Sequence, residues 1–265
     1  MNGRRSFWAS SIGTMRRTTH CSPRGPAERN ELSAGATLVL LPGLDGTDVF
    51  LRPLVAALPS TIRPVVVTYP ASGAEQYRDV LDIVRRATAG LSTFYVLGVS
   101  FSGPLAVMLA LEQPKRVKGV ILVATFVQAP RPWLRLLRFA CNAPMLWIWR
   151  VTRRIPMWAS RSGDDPLRLA KAETFRRVSA RSLAGRARAV LNVDVRAELR
   201  RCSQPVFCIS FTDDRVVPRS SVDAILREAP TAACTSLAGS HFSGWMNSGA
   251  LAAVVKKFIS KVKST

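Results

Sequence analysis

Three polar residues far apart in this chain have the types and settings that acyl-transfer chemistry needs: Ser100, His241 and an aspartate at position 213 or 214. Ser100 stands in Gly98-Val99-Ser100-Phe101-Ser102-Gly103, directly after the apolar run Phe94–Val99. A serine nucleophile needs its hydroxyl held clear of a sheet, on a tight turn from strand to helix. Gly98 and Ser102 are small enough for such a turn, and Gly103 lets the following helix pack close to the strand. His20 and His241 are the only histidines, and His20 falls in a segment without apolar periodicity. His241 lies in Gly239-Ser240-His241-Phe242, between a strand-like run and the last helix-like one. Phe211-Thr212-Asp213-Asp214-Arg215-Val216-Val217-Pro218 follows another strand-like run. An acid there could orient the imidazole and stabilise it when protonated.

The elements that must position these loops are legible as short apolar runs bounded by turn residues, the mark of buried strands. They are Ala36–Leu41, Pro64–Tyr69, Phe94–Val99, Val120–Ala124, Pro205–Ser210 and Ala233–Leu237. Helical patterns alternate with them. Ala74–Ala89 gathers Tyr77, Val80, Leu81 and Val84 on one face, and Ser102–Leu111 is small and apolar nearly all round. Ser221–Arg227 predicts a short helix, and Leu251–Val262 an amphipathic one with exposed lysines. Strand and helix in alternation imply an α/β fold with a mainly parallel sheet and right-handed crossovers. All three reactive loops then fall at C-terminal strand ends, where sites of such folds assemble.

With the order serine, aspartate, histidine, the chain resembles the α/β-hydrolase superfamily over roughly 36–262. The motifs that carry the resemblance are Leu41-Pro42-Gly43-Leu44-Asp45-Gly46, the turn around Ser100, Asp214-Arg215-Val216-Val217-Pro218, and the loop around His241. The resemblance implies Ser100 as nucleophile, His241 as base and Asp214 as acid; the Val-Pro that follows selects Asp214 over Asp213. It also implies an oxyanion hole from the backbone N–H groups of Leu44 and Phe101. Two positions depart from the usual pattern: Pro42 stands where many relatives have His, and Ser102 where Gly is common. Neither amide donor depends on its side chain. A serine at position 100 argues against dehalogenase chemistry, which uses an aspartate nucleophile.

The stretch 128–201 interrupts the alternation and reads as several helices. It carries +12 of the chain's net charge of +21 and four of its six tryptophans, Trp133, Trp147, Trp149 and Trp158. The domain reading is therefore a basic, disordered tail over 1–35, a core of 36–127 with 202–265, and a helical cap or lid over 128–201. An apolar cap with basic flanks suits an apolar acyl or aromatic ester, and its charge suits an anionic membrane surface. No recognised nucleic-acid motif is present. The five cysteines are odd in number and lack metal-ligand spacing, so reduced thiols, no metal, no cofactor and a cytoplasmic location are expected. Arg4-Arg5-Ser6-Phe7 looks like an export signal, but the stretch after it is too short and polar to serve as one. The leading expectation is a carboxylic ester hydrolase. Thioester hydrolysis or acyl transfer would use the same triad, and a non-catalytic membrane-surface or anion-binding protein is the contrasting class.

Overall fold

A computed structural model describes residues 35–131, 133 and 165–264. The expected tail, and Trp147, Trp149 and Trp158 of the expected cap, lie outside the described residues.

Six strands form one parallel sheet: β1 (Ala36–Leu41), β2 (Ile62–Val66), β3 (Phe94–Val99), β4 (Val117–Val123), β5 (Val206–Phe211) and β6 (Ala233–Leu237). Their spatial order is β2-β1-β3-β4-β5-β6. The chain thus starts in the interior with β1, steps out to β2, and returns past β1 to lay down the rest. The reversal falls between β1 and β3, paired Leu41 to Gly98 at their C-terminal ends. A crevice opens at such a switch point, and ligands bind there in open α/β sheets.

Side-chain alternation along each strand divides the core in two. Val39, Leu41, Val96, Val120 and Leu122 face helices α2 (Tyr77–Thr88) and α3 (Gly103–Glu112). Leu38, Leu40, Leu97, Ile121 and Ile209 face the opposite layer, with Leu54 of helix α1 (Arg52–Ala57) and Leu251, Val255 and Phe258 of the last helix, Ser248–Lys263. A sheet covered on both faces explains why the strands read as near-continuous apolar runs.

The expected strands and helices of the core are present, β1, β3 and β6 with the expected ends and the others with shifted ones. Strand β2 ends at Val66 rather than Tyr69, because the chain then leaves the ladder: the Tyr69 N–H donates to Gly46 O at 2.7 Å, following the loop after β1. Helix α2 starts at Tyr77 rather than Ala74, where Gln76 and Asp79 form a reciprocal capping box. Helix α1, only six residues long, is too short for periodicity to reveal. Beyond residue 164 the interrupting stretch contains α4 (Pro166–Arg177), α5 (Ala180–Asn192) and α6 (Arg196–Arg200). An antiparallel bridge joins Gln128, at the start of that stretch, to Asp194, just before α6. Among the described residues the remaining helices are α7 (Arg219–Glu228), α8 (Ser243–Met246) and α9 (Ser248–Lys263).

Candidate active site

Ser100 sits where β3 gives way to a single turn of 3-10 helix that leads into α3. Its φ of 50° is left-handed, a conformation that costs a non-glycine residue about 1–3 kcal/mol and persists only where the surroundings dictate it. Here they do. A Cβ at Gly98 would lie 2.7 Å from the Ser102 carbonyl carbon, and one at Gly103 would lie 2.8 Å from Thr125 Cβ. Both contacts are far inside van der Waals range, so the two glycines let the turn fold back on itself. The Thr125 hydroxyl then donates to Ser100 O.

The turn aims the Ser100 hydroxyl at His241: Oγ is 3.1 Å from Nε2. On the far side of the ring, Nδ1 lies 2.7 Å from Asp214 Oδ2. The other carboxylate oxygen, Oδ1, accepts from the Val216 and Val217 N–H groups at 2.8 and 2.9 Å. Burial alone would raise this carboxyl. The His241 hydrogen bond and charge, with the two amides, outweigh that and hold it below the ordinary carboxylate value. An ionised carboxylate only accepts, so the Nδ1 facing it is a donor, which in the neutral ring leaves Nε2 to accept from the serine hydroxyl. Asp213 points elsewhere, accepting from its neighbour Thr212 Oγ1 at 2.9 Å. Of the two adjacent aspartates, the structure brings Asp214 to the histidine.

Leu44 and Phe101 lie on the loops that follow the paired strands β1 and β3. Among the described residues no hydrogen bond from the Leu44 N–H is found. The Phe101 N–H belongs to the first turn of its helix, where backbone donors have no intrahelical partner. The Phe101 side chain is buried and stacks on Tyr77, ring centroids 4.6 Å apart. Both are therefore backbone N–H groups without a hydrogen-bond partner among the described residues, on the loops that follow β1 and β3.

The residue that departs from the usual turn pattern has partners of its own. Ser102 is wholly buried, and its hydroxyl donates to Pro42 O. With that proton committed, the Tyr69 hydroxyl donates to Ser102 Oγ at 2.6 Å. Sequence reasoning admitted Ser102 on size alone and did not see this bond between the two loops. It also missed an aromatic rim beside His241. The Phe242 ring lies 5.5 Å from the imidazole and 5.2 Å from Phe50, which meets Trp245 edge-on at 6.2 Å. Lys171 of α4 stands over Phe242, Nζ to centroid 4.3 Å. Several of the described arginines of 165–201 are paired with acids: Arg177 with Asp48, Arg196 with Asp194 and Arg200 with Glu228.

Among the described residues no cluster of three or more His, Cys, Asp or Glu stands close enough to hold a metal ion. None of the helices described is long and apolar enough to cross a membrane.

A family model described as "Serine aminopeptidase, S33" matches residues 71–238. A pimeloyl-[acyl-carrier protein] methyl ester esterase of Nitrosomonas europaea is 28% identical over 214 residues, spanning 75% of this chain and 85% of that protein. Among solved structures, an enol-lactonase from Burkholderia xenovorans LB400 superposes with a TM-score of 0.71 at 20% identity, over 85% of this chain and 92% of that one. A structure titled for carboxylesterases of the thaumarchaeon Nitrososphaera gargenis superposes at 0.66 and 18% identity, over 88% and 92%. Both structural likenesses are of fold.

Proposed function

Because the chain belongs to the serine aminopeptidase S33 family, and so to the α/β-hydrolases with their esterase character, we propose that it hydrolyses a carboxylic ester through an acyl-enzyme on Ser100. The observation that carries this reading is the continuous chain from Asp214 through His241 to Ser100, at 2.7 and 3.1 Å, ending on a serine strained to φ 50°. His241 Nε2 takes the hydroxyl proton as Oγ attacks the carbonyl, and Asp214 holds the tautomer and stabilises the imidazolium. The Leu44 and Phe101 amides receive the oxyanion, each such donor worth about 3 kcal/mol of barrier. His241 then protonates the leaving alcohol and activates the water that frees Ser100.

The aromatic rim of Phe50, Phe242 and Trp245 beside His241 supports an apolar acyl or aromatic group as the substrate's main binding element. The esterase relative, named for a methyl ester, supports a small alkoxy leaving group. Residues 128–201 act as a cap in this reading; Lys171 over Phe242 brings α4 of that stretch to the rim.

The test is fluorophosphonate labelling joined to a panel of esters and thioesters of graded acyl length. Ser100→Ala should abolish labelling and lower kcat by roughly 10³-fold or more. Undiminished labelling of that variant would remove Ser100 from the mechanism. Preference for thioesters across the panel would move the activity to thioester hydrolysis by the same acyl-enzyme.

A further inference from the structure

Arg186 of α5 is the bulkiest side chain among the described residues that is wholly buried. Burying a guanidinium is costly unless its donors are satisfied. No carboxylate lies within ion-pair distance of it among the described residues. Its partners are backbone carbonyls: Nε donates to Ala74 O at 3.0 Å, Nη2 to Pro70 O at 2.8 Å, and Nη1 to Leu44 O at 3.2 Å and Asp45 O at 3.0 Å. The guanidinium also lies over the Tyr69 ring, 5.5 Å from its centroid. Burial pulls its pKa below the ordinary arginine value, and Asp45 and Glu75 oppose that fall.

The choice of acceptors follows from the loop's job. A loop that turns N–H groups toward a site turns neighbouring C=O groups away from it, and buried carbonyls need donors. The peptide carrying the Leu44 N–H is held on its own carbonyl, since Gly43 O accepts from the Gly46 N–H at 3.0 Å. The next two carbonyls, of Leu44 and Asp45, are held by Arg186. One planar fork thus ties this loop to the segments at Pro70 and Ala74, a task a lysine's point-like ammonium cannot reproduce. Space is committed as well, since a Cβ at Gly46 would lie 2.6 Å from Nη1 and 2.8 Å from Tyr69 Cβ.

We infer that Arg186 is a positioning residue for the reaction, holding the Leu44 N–H where the oxyanion forms while touching no substrate itself. The inference rests on the acyl-enzyme reading above and assigns a part of it to a side chain from the interrupting stretch. A misplacement of about 1 Å in such a group costs on the order of 10²-fold in rate.

The experiment compares wild type with Arg186→Lys, which keeps the charge and loses the fork. Arg186→Gln, neutral and easier to bury, is the second variant should the lysine form not fold. Each is assayed well below its own Tm for kcat, KM and inhibition by an alkyl boronic acid, whose tetrahedral adduct on serine places an oxygen in the same hole. The expected result is kcat lower by about 10²-fold, boronate inhibition weakened in step, and KM within about threefold. A folded variant with wild-type kcat, or one that changes KM alone, would overturn the role of Arg186. Wild-type labelling at Ser100 would in that case leave the acyl-enzyme reading standing. Wild type that neither labels nor turns over would overturn both.

Discussion

The two loops that meet at the switch point are held in opposite ways. The turn at Ser100 is fixed by close packing of backbone and small side chains: Gly98 against Ser102 within the turn, Gly103 against Thr125 from the loop after β4, and the Thr125 hydroxyl on Ser100 O. The loop after β1 is fixed from without, by side chains that arrive from remote sequence. Ser102 reaches Pro42 O across 60 positions and Arg186 reaches Leu44 O across 142. A strained nucleophile can be held by close packing of small residues from its own turn and from the loop after the neighbouring strand, whereas a row of aimed amides leaves a row of carbonyls behind it that some other element must satisfy.

The largest loss of activity is expected at the acid. Asp214→Asn should lower kcat by about 10³–10⁴-fold, since the amide can impose the wrong tautomer on His241. Asp213→Asn, which touches Thr212 rather than the ring, should leave kcat near wild type. Steady-state kinetics on the pair decides, and equal losses would mean that the acid's placement is not what matters.

The internally packed turn should fail through stability. Gly103→Val would drive its side chain into Thr125, and Gly98→Ala would press on the Ser102 backbone, which cannot swing aside as a side chain could. We expect each to cost about 3 kcal/mol or more, at the severe end of overpacking, as measured by denaturant unfolding. Wild-type stability in either variant would show that the turn has room the geometry denies.

The externally tied loop should respond more gently and through specific bonds. Ser102→Ala strands the Tyr69 hydroxyl and Pro42 O in the interior, a loss of about 2 kcal/mol. Tyr77 is the control. Its buried hydroxyl has no hydrogen-bond partner among the described residues, so Tyr77→Phe should leave stability unchanged or raise it slightly while keeping the stack on Phe101. A larger loss at Tyr77 than at Ser102 would reverse the ranking.

The same contrast explains what the sequence reveals. Strand cores and reactive loops are legible because their signals are local: apolar runs for β1 and β3, a Gly-x-Ser turn, an aspartate directly past β5. Where tertiary contact overrides local pattern, the reading slips. The β2 run continues to Tyr69, yet after the Val67 N–H has bonded Leu40 O the chain leaves the sheet to follow the loop at Gly46. Arg186 has the composition of a surface residue in a basic segment, and nothing in its neighbours marks it as wholly buried. Ser102 is visible as a departure from the common pattern, but its partner Pro42, the other departure, becomes its partner only once β1 and β3 are paired.

The proposed function stands or falls on acyl transfer through Ser100. It is tested most directly by mixing the protein with an activated ester whose acyl-enzyme hydrolyses slowly, quenching with acid, and locating the added mass. The expected result is one acyl group per chain, carried on the peptide that contains Ser100, appearing with a burst of released alcohol and absent from Ser100→Ala. Turnover of the same ester with no acyl group on that peptide, or with the group on another residue, would contradict it.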